Sequence, residues 1–471
     1  MAKKIENYRM TLALHEATNE GIALGRHENQ VVFVAGGVPG DVVEVEVFRK
    51  KKNYLEARLL SIIESSVNRE TPFCKHFGVC GGCKWQNMNY ETQLLYKQKQ
   101  VQDAFIRLGK LDVEHFQPII GCQDTTFYRN KLEFTFSNKR WLTEEEVKSD
   151  AVIQDSALGF HVSGRFDKIV DIETCYLQTD FSNRLRNTVR EYAMELGMSF
   201  YDLRLQKGFL RTLMIRTALT GENMVLLILH QAMSEEEKDK EFQLLEKLSL
   251  AFPEVQSWLY AYNLKANDTW IDQELYTFKG RDFIWEEMED LRFKVSAKSF
   301  YQTNSRQALV LYKIIRDFAD IQATDVLYDL YTGTGTIAQF VGKNCKKVIG
   351  VEYVEDAITD AKINAQINGI DHAHFFAGDM KDVLNDEFVL THGKPDVLIV
   401  DPPRSGMHGD VVAQILNMRA PKLIYVSCNA STQARDLALM QEFYTIEQVQ
   451  PVDLFPHTHH VESVALLRLK P

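Results

Sequence analysis

The strongest constraint on this chain is a strand–helix alternation that runs through its last third. From about residue 291, short apolar runs alternate with helical spacings. Asp325–Tyr331 reads as a strand ending in a Gly-rich turn, and Ile337–Lys343 opens a helix. Lys347–Tyr353 is a strand, Glu355–Asn368 a helix, Asp396–Asp401 a buried strand and Asp410–Met418 a helix. Lys422–Ser427 is another strand, Ser431 caps a helix to Gln441, and Glu462–Leu469 is the last strand. Buried strands separated by helices build a sheet covered on both faces. The expected fold class is α/β, a doubly wound sheet whose ligands sit at the carboxyl ends of its strands.

The rest of the chain reads differently. At 471 residues it exceeds one ordinary domain, and two to four are expected. Residues 1–62 read as β: Val31–Val34, then Val43, Val45 and Val47 alternating with glutamates, then Leu55–Ile63, with Gly-rich turns between. Such short strands suggest a small OB-like β-barrel, a shape that often presents a face to nucleic acid. Residues 63–290 form a mixed α+β central unit, with strand-like Lys131–Phe136 and Met224–His230 and a helical run Ser234–Leu250. No run approaches the ~20 apolar residues that span a bilayer. MAKKIENYRM has charges but no apolar stretch behind it, so a cytoplasmic protein is expected. The formal net charge of -11 gathers in short acidic runs, and basic residues cluster too, so charge does not choose the partner.

Five features mark the strand ends of the last third. Asp329-Leu330-Tyr331-Thr332-Gly333-Thr334-Gly335-Thr336 follows a strand and opens a helix, so its glycines let backbone approach a ligand. Glu352 ends the next strand, where a carboxylate accepts from ribose hydroxyls of NAD or of S-adenosylmethionine. Asp379 ends the third, where an adenine-contacting acid would sit. Asp401-Pro402-Pro403-Arg404 ends the fourth and resembles the catalytic loop of class I methyltransferases that act on bases, which dehydrogenases do not usually carry. Cys428, in Val426-Ser427-Cys428-Asn429, ends the fifth. A thiolate there that adds to C6 of a uracil makes C5 electron-rich enough to accept a methyl group. The proton on C5 must then leave to a general base, for which Glu462 is the candidate.

Seven cysteines in a chain without a signal do not suggest disulfides. Cys74-x5-Cys80-x2-Cys83 sets three thiols in one glycine-containing loop. Spacing alone leaves structural zinc and a 4Fe-4S cluster open, and either Cys122 or Cys175 could be the fourth ligand.

The elements SFYQTN, DLYTGTGT, GVE, DPPRSG, YVSCN and DLFPHTHHVES, in this order, resemble the RNA uridine-5-methyltransferase family, in particular its RumA/RlmD type. The resemblance implies a class I (Rossmann-like) methyltransferase domain over 291–471, acting on a specific uridine of 23S rRNA. It implies Cys428 as nucleophile and Glu462 as base, with Gln302, Tyr331, Thr336, Glu352, Asp379 and Asp401 at S-adenosylmethionine; Gln302 could instead face the uracil. The family usually has Cys at Thr332 and often Asn at Thr336, which weakens the assignment of Thr336. Residues 1–62 resemble a TRAM domain, and Cys74, Cys80, Cys83 and Cys175 match the family's 4Fe-4S ligands. Cys122 and Cys345 have no counterpart and read as ordinary thiols.

The target carbon is hidden in a stacked helix, so a single-stranded or flipped-out uridine is expected. Arg49–Lys52, Lys84-Trp85, Arg129-Asn130-Lys131 and Lys139-Arg140 are the candidate RNA contacts, with Arg129 and Lys131 foremost. Nothing requires more than a monomer. Three other readings stand beside this one. A tRNA uridine-5-methyltransferase usually lacks the TRAM domain and the cysteines. An iron-sulfur, NAD-dependent oxidoreductase leaves Cys428 and Glu462 unexplained, and so does a non-catalytic RNA-binding protein.

Overall fold

The computed structural model describes residues 7–149 and 154–471. The first five strands close a barrel in the order β1-β2-β3-β5-β4. They are β1 (Tyr8–Ala17), β2 (Ala23–His27), β3 (Gln30–Ala35), β4 (Val42–Lys50) and β5 (Tyr54–Glu64). The alternation in β4 turns Val43, Val45 and Val47 into the barrel and its glutamates toward water. Sequence reading found β3, β4 and β5. It passed over β1 and β2, whose sparse apolar residues lie between polar ones.

The middle of the chain folds as α1 (Tyr90–Asp103), β6 (Val113–Phe116), β7 (Lys131–Ser137), α2 (Glu144–Lys148), β8 (Ala157–His161) and β9 (Ile169–Asp171). It continues through α3 (Asp180–Glu195), β10 (Leu210–Thr217), β11 (Asn223–Leu229), α4 (Glu235–Ala251), β12 (Ser257–Tyr262) and β13 (Leu275–Gly280). Seven of these strands form one sheet, β13-β12-β11-β10-β7-β8-β9. β10 and β11 are buried along nearly their whole length. One face packs on α3 and α4 through Leu185, Val189, Leu244 and Leu248. The other face, with Met214, Met224, Leu226 and Ile228, joins the core of the last third.

A hairpin, β14 (Phe283–Met288) and β15 (Leu291–Ser296), leads into α5 (Ser305–Ala319). The boundary expected between 290 and 291 falls inside this hairpin. Asn368 and Asn364 side chains accept from Arg292 N and Lys294 N, which ties it to the last third. Then follow β16 (Val326–Leu330), α6 (Thr336–Gly342), β17 (Lys347–Glu352), α7 (Glu355–Ile367), β18 (Ala373–Ala377), α8 (Met380–Val383) and α9 (Asp386–His392). The chain ends with β19 (Val397–Val400), α10 (Gly409–Met418), β20 (Lys422–Ser427), α11 (Ala430–Met440), β21 (Tyr444–Val452) and β22 (Glu462–Leu469). The eight-stranded sheet has the order β18-β17-β16-β19-β20-β22-β21-β6. β16 to β20 are parallel, and β22 enters antiparallel between β20 and β21.

Alternate residues of each strand feed two helical layers. Leu327, Ile399 and Ile424 meet the α5–α7 side, while Tyr328, Leu398 and Tyr425 meet the α10 and α11 side. The second layer has a contributor from far upstream. α1 widens into one π-type turn, Ala104–Gly109, and Val101, Ala104 and Phe105 sit in that core. β6 then pairs parallel with β21 and completes the sheet edge. Among the described residues no helix is long and apolar enough to cross a membrane.

Candidate active site

The carboxyl ends of β16, β17, β19 and β20 meet at one edge of the sheet. Tyr331, Gly333 and Gly335 all have positive φ, so the loop after β16 folds back tightly before α6 begins. Only a glycine fits at Gly350 beneath it. A Cβ there would lie 2.4 Å from the Phe375 ring and 3.1 Å from Thr332 Cγ2. Glu352 holds the loop, accepting from Gly333 N at 3.2 Å and from Val354 N at 3.1 Å. Each carboxylate oxygen keeps a lone pair for a further donor. Thr336 is buried and shares a 3.1 Å hydrogen bond with the Tyr312 hydroxyl. Thr332, where the family usually has Cys, donates to Asp329 at 2.6 Å. Burial pushes the Asp329 carboxyl up to about 7, and that hydroxyl opposes the rise.

Gln302 lies in the segment that joins β15 to α5. Asn130 fixes it: Asn130 Nδ2 donates to the Gln302 carbonyl at 2.9 Å and to Ser305 Oγ at 2.7 Å. Asp379 lies just past β18, caps α8 and pairs with Lys381 at 3.2 Å. Asp401 leaves β19 with its N–H on the Leu330 carbonyl.

The register that pairs Ser427 with Ser463 continues one step outward to set Cys428 beside Glu462. Asp401 ends the strand on the other side of β20. Glu462 is 4% exposed, and burial pushes its carboxyl up to about 7. Burial, then Glu462 and Asp329, hold Asp401 well above the usual carboxylate range. Cys428 is half-buried, and burial, Glu462 and Asp401 push its thiol up to about 11. Sequence reading expected surroundings that favour thiolate. The two neighbouring acids work against that, and Arg404 opposes them. Asn429 Nδ2 and Thr432 Oγ1 both donate to the Arg404 carbonyl, which pins this arginine beside the thiol. Arg404 was quoted in the sequence without a role.

Cys74, Cys80, Cys83 and Cys175 line one cavity of about 340 Å³, together with Arg129 and Gln86. Burial pushes Cys80 up to about 11 and Cys83 to about 12, with the neighbouring cysteines adding to both. Among the described residues, no group of three or more His, Cys, Asp or Glu is spaced for a metal ion. Cys122 lies elsewhere, with its Sγ donating to the Asp453 carbonyl. Cys345 is buried against the Lys347 carbonyl.

Most of the candidate RNA-binding cations are already engaged. Arg49 pairs with Glu56, Lys131 with Glu133, Lys139 with Asp202 and Arg140 with Glu146. Lys84 donates to Ser163, and Trp85 is buried with its Nε1 on the Gly21 carbonyl of the barrel. Arg129 differs: it stacks over Phe455 and its Nε has no hydrogen-bond partner.

The sequence pattern of the tRNA (Uracil-5-)-methyltransferase family matches residues 198–470, and that of the TRAM domain matches residues 9–60. An uncharacterized RNA methyltransferase of Bacteroides thetaiotaomicron is 55% identical over 452 residues, covering 96% of this chain and 99% of its own length. One from Porphyromonas gingivalis is 51% identical, covering 95% and 97%. Among solved structures, the Pyrococcus abyssi tRNA (uracil-54, C5)-methyltransferase in complex with S-adenosyl-L-homocysteine superposes with a TM-score of 0.75. It is 26% identical and covers 97% of this chain and 100% of its own.

Proposed function

The chain belongs to the tRNA (Uracil-5-)-methyltransferase family, and on that premise we propose that it methylates C5 of a specific uridine in 23S rRNA, with S-adenosylmethionine as donor. The observation that carries the chemistry is Cys428 beside a buried Glu462, at the sheet edge that also bears the Gly-rich loop. S-adenosylmethionine supplies an electrophilic methyl on a sulfonium. Gln302, Tyr331, Thr336, Glu352, Asp379 and Asp401 would hold it. Cys428 loses its proton to water and the thiolate bonds to C6 of the uracil, moving the C5–C6 π pair toward C5 and making C5 nucleophilic. Once C5 carries its methyl, Glu462 removes the C5 proton. The C5–C6 double bond re-forms and the thiolate leaves.

Four thiols around one cavity are the donor set of a 4Fe-4S cluster, and Cys74, Cys80, Cys83 and Cys175 would hold it. Its part is to tie the loop at 74–83 to the central sheet, since no step above uses an electron. The likeness of the motifs to the RumA/RlmD type supports an rRNA substrate, whereas the barrel does not discriminate, because the tRNA methyltransferase structure spans it as well. A tRNA substrate is the second reading, favoured by the tRNA methyltransferase structure that spans 97% of this chain.

The experiment incubates anaerobically prepared protein of known iron and sulfide content with labelled S-adenosylmethionine and separate 23S rRNA and tRNA transcripts. Label at C5 of uridine in 23S rRNA is expected, with no turnover by Cys428→Ala. Label only in tRNA overturns the substrate, and zinc in place of iron overturns the cluster.

A further inference from the structure

Glu462 reaches its place through a loop, and that loop is gripped from outside the sheet. β21 ends at Val452, the cross-strand partner of Glu462, and residues 453–461 connect the two. Five consecutive carbonyls of this loop are each caught by a different group. Cys122 Sγ donates to Asp453 O, Asn304 Nδ2 to Leu454 O, and Lys97 Nζ to Phe455 O. The Tyr128 hydroxyl donates to Pro456 O, and Lys84 N and Trp85 N both donate to His457 O. Gln93 holds the His457 main chain as well, accepting its N–H at 2.8 Å. His457 itself is held at a positive φ of 63°.

The grip centres on an ion pair. Lys97 Nζ lies 2.7 Å from Asp453 Oδ1, and both side chains are 0% exposed. The Tyr90 hydroxyl donates to Asp453 Oδ2 at 2.9 Å, and Phe455 N donates to Oδ1 at 2.8 Å. A fully buried pair gains little net stability over apolar side chains of the same volume, but it does fix one geometry. Asp453 stands one residue beyond the partner of Glu462, so that geometry is passed directly to the base.

We infer that Lys97, through its buried pair with Asp453, is a positioning residue for Glu462 and governs release of the methylated RNA. This rests on Glu462 being the base. In the step concerned, the C5 proton passes to the Glu462 carboxylate, its electron pair forms the C5–C6 double bond, and the C6–S bond breaks toward Cys428. In addition of Cys428 to C6, the loop enters only through Glu462, whose charge opposes the thiolate. Loosening the loop therefore slows release and spares adduct formation.

The test separates the two steps. Lys97→Met and the milder Tyr90→Phe are compared with wild type on whichever transcript, 23S rRNA or tRNA, the enzyme methylates. Formation is read as the covalent adduct with 5-fluorouracil-containing transcript. Release is read as decay of the methylated adduct on ordinary transcript. Lys97→Met should form adduct within about two-fold of wild type, with unchanged KM. It should release product roughly ten-fold more slowly, in line with the cost of a small misplacement. Tyr90→Phe should shift the same way by less, and it decides the matter if Lys97→Met does not fold. Formation and release falling together, or neither changing, overturns the role of Lys97. Glu462→Gln serves as control. If it traps adduct and the Lys97 and Tyr90 variants do not, the positioning role alone fails. If it releases product at the wild-type rate, the base assignment fails and takes the inference with it.

Discussion

Glu462, Asp401 and Cys428 share one nearly dry neighbourhood in which Arg404 is the opposing cation. Burial comes first for all three; Glu462 then raises Asp401, and Glu462 and Asp401 together raise Cys428. On the proposed mechanism, two steps then respond differently to pH. Attack by Cys428 needs the thiol to lose a proton from a group pushed up to about 11, so adduct formation on 5-fluorouracil RNA should keep rising across pH 6 to 9. Release needs Glu462 as carboxylate, and its carboxyl is pushed up to about 7. Release should therefore fall as pH drops below about 7 and level off above it. Single-turnover rates for the two steps would check this, and a release rate that stays flat from pH 5.5 to 9 contradicts it. The positions of these residues were legible because each borders an apolar run that reads as a strand. Arg404 and Lys97 were not. A lysine within Tyr90–Asp103 gives no sign that it is buried, because its partner lies more than 350 positions away.

At the scale of elements, what could be read was what packs. Lys422–Ser427 and Glu462–Leu469 were placed to the residue, because buried apolar strands carry a hydrophobic run. β6 was missed because an edge strand of four residues contributes backbone more than side chains, and none of Val113–Phe116 is buried. The fourth cysteine of the cavity was undecidable from spacing, since both Cys122 and Cys175 lie downstream of the loop; the resemblance chose Cys175, which lines the cavity. The cofactor loop gives a test at this scale. Gly350→Ala forces a methyl group into the Phe375 ring and against Thr332. Overpacking of this kind costs about 1–3 kcal/mol. The variant should melt at lower temperature and bind S-adenosylmethionine more weakly by calorimetry. Unchanged affinity would mean that β17 yields without disturbing the loop.

At the scale of the molecule, the central unit and the last third share their apolar cores. One apolar core runs from Met214 and Leu226 of the central sheet through the β14–β15 hairpin into the last third. A second takes in Val101, Ala104 and Phe105 from upstream. Burying a side chain of the size of Phe105 is worth roughly 1.5–3 kcal/mol. Residues 291–471 expressed alone would lose these contacts, the β6 edge and four grips on the loop before Glu462. That fragment should lack near-ultraviolet circular dichroism and a cooperative melt. A sharp thermal transition in the fragment would show that the last third folds by itself.

β22 is inserted between two strands that precede it in the chain, and every group that grips its entry loop also comes earlier. Synthesis therefore delivers the reactive parts in a fixed order. The cradle and the thiol are made first, while β20 and β21 stand apart with a vacant slot. On the proposed mechanism, a polypeptide stopped just short of Glu462 would carry the nucleophile without the base that releases it. On that mechanism the strand that closes the sheet also carries the base that resolves the adduct, so completing the fold and permitting turnover are one event.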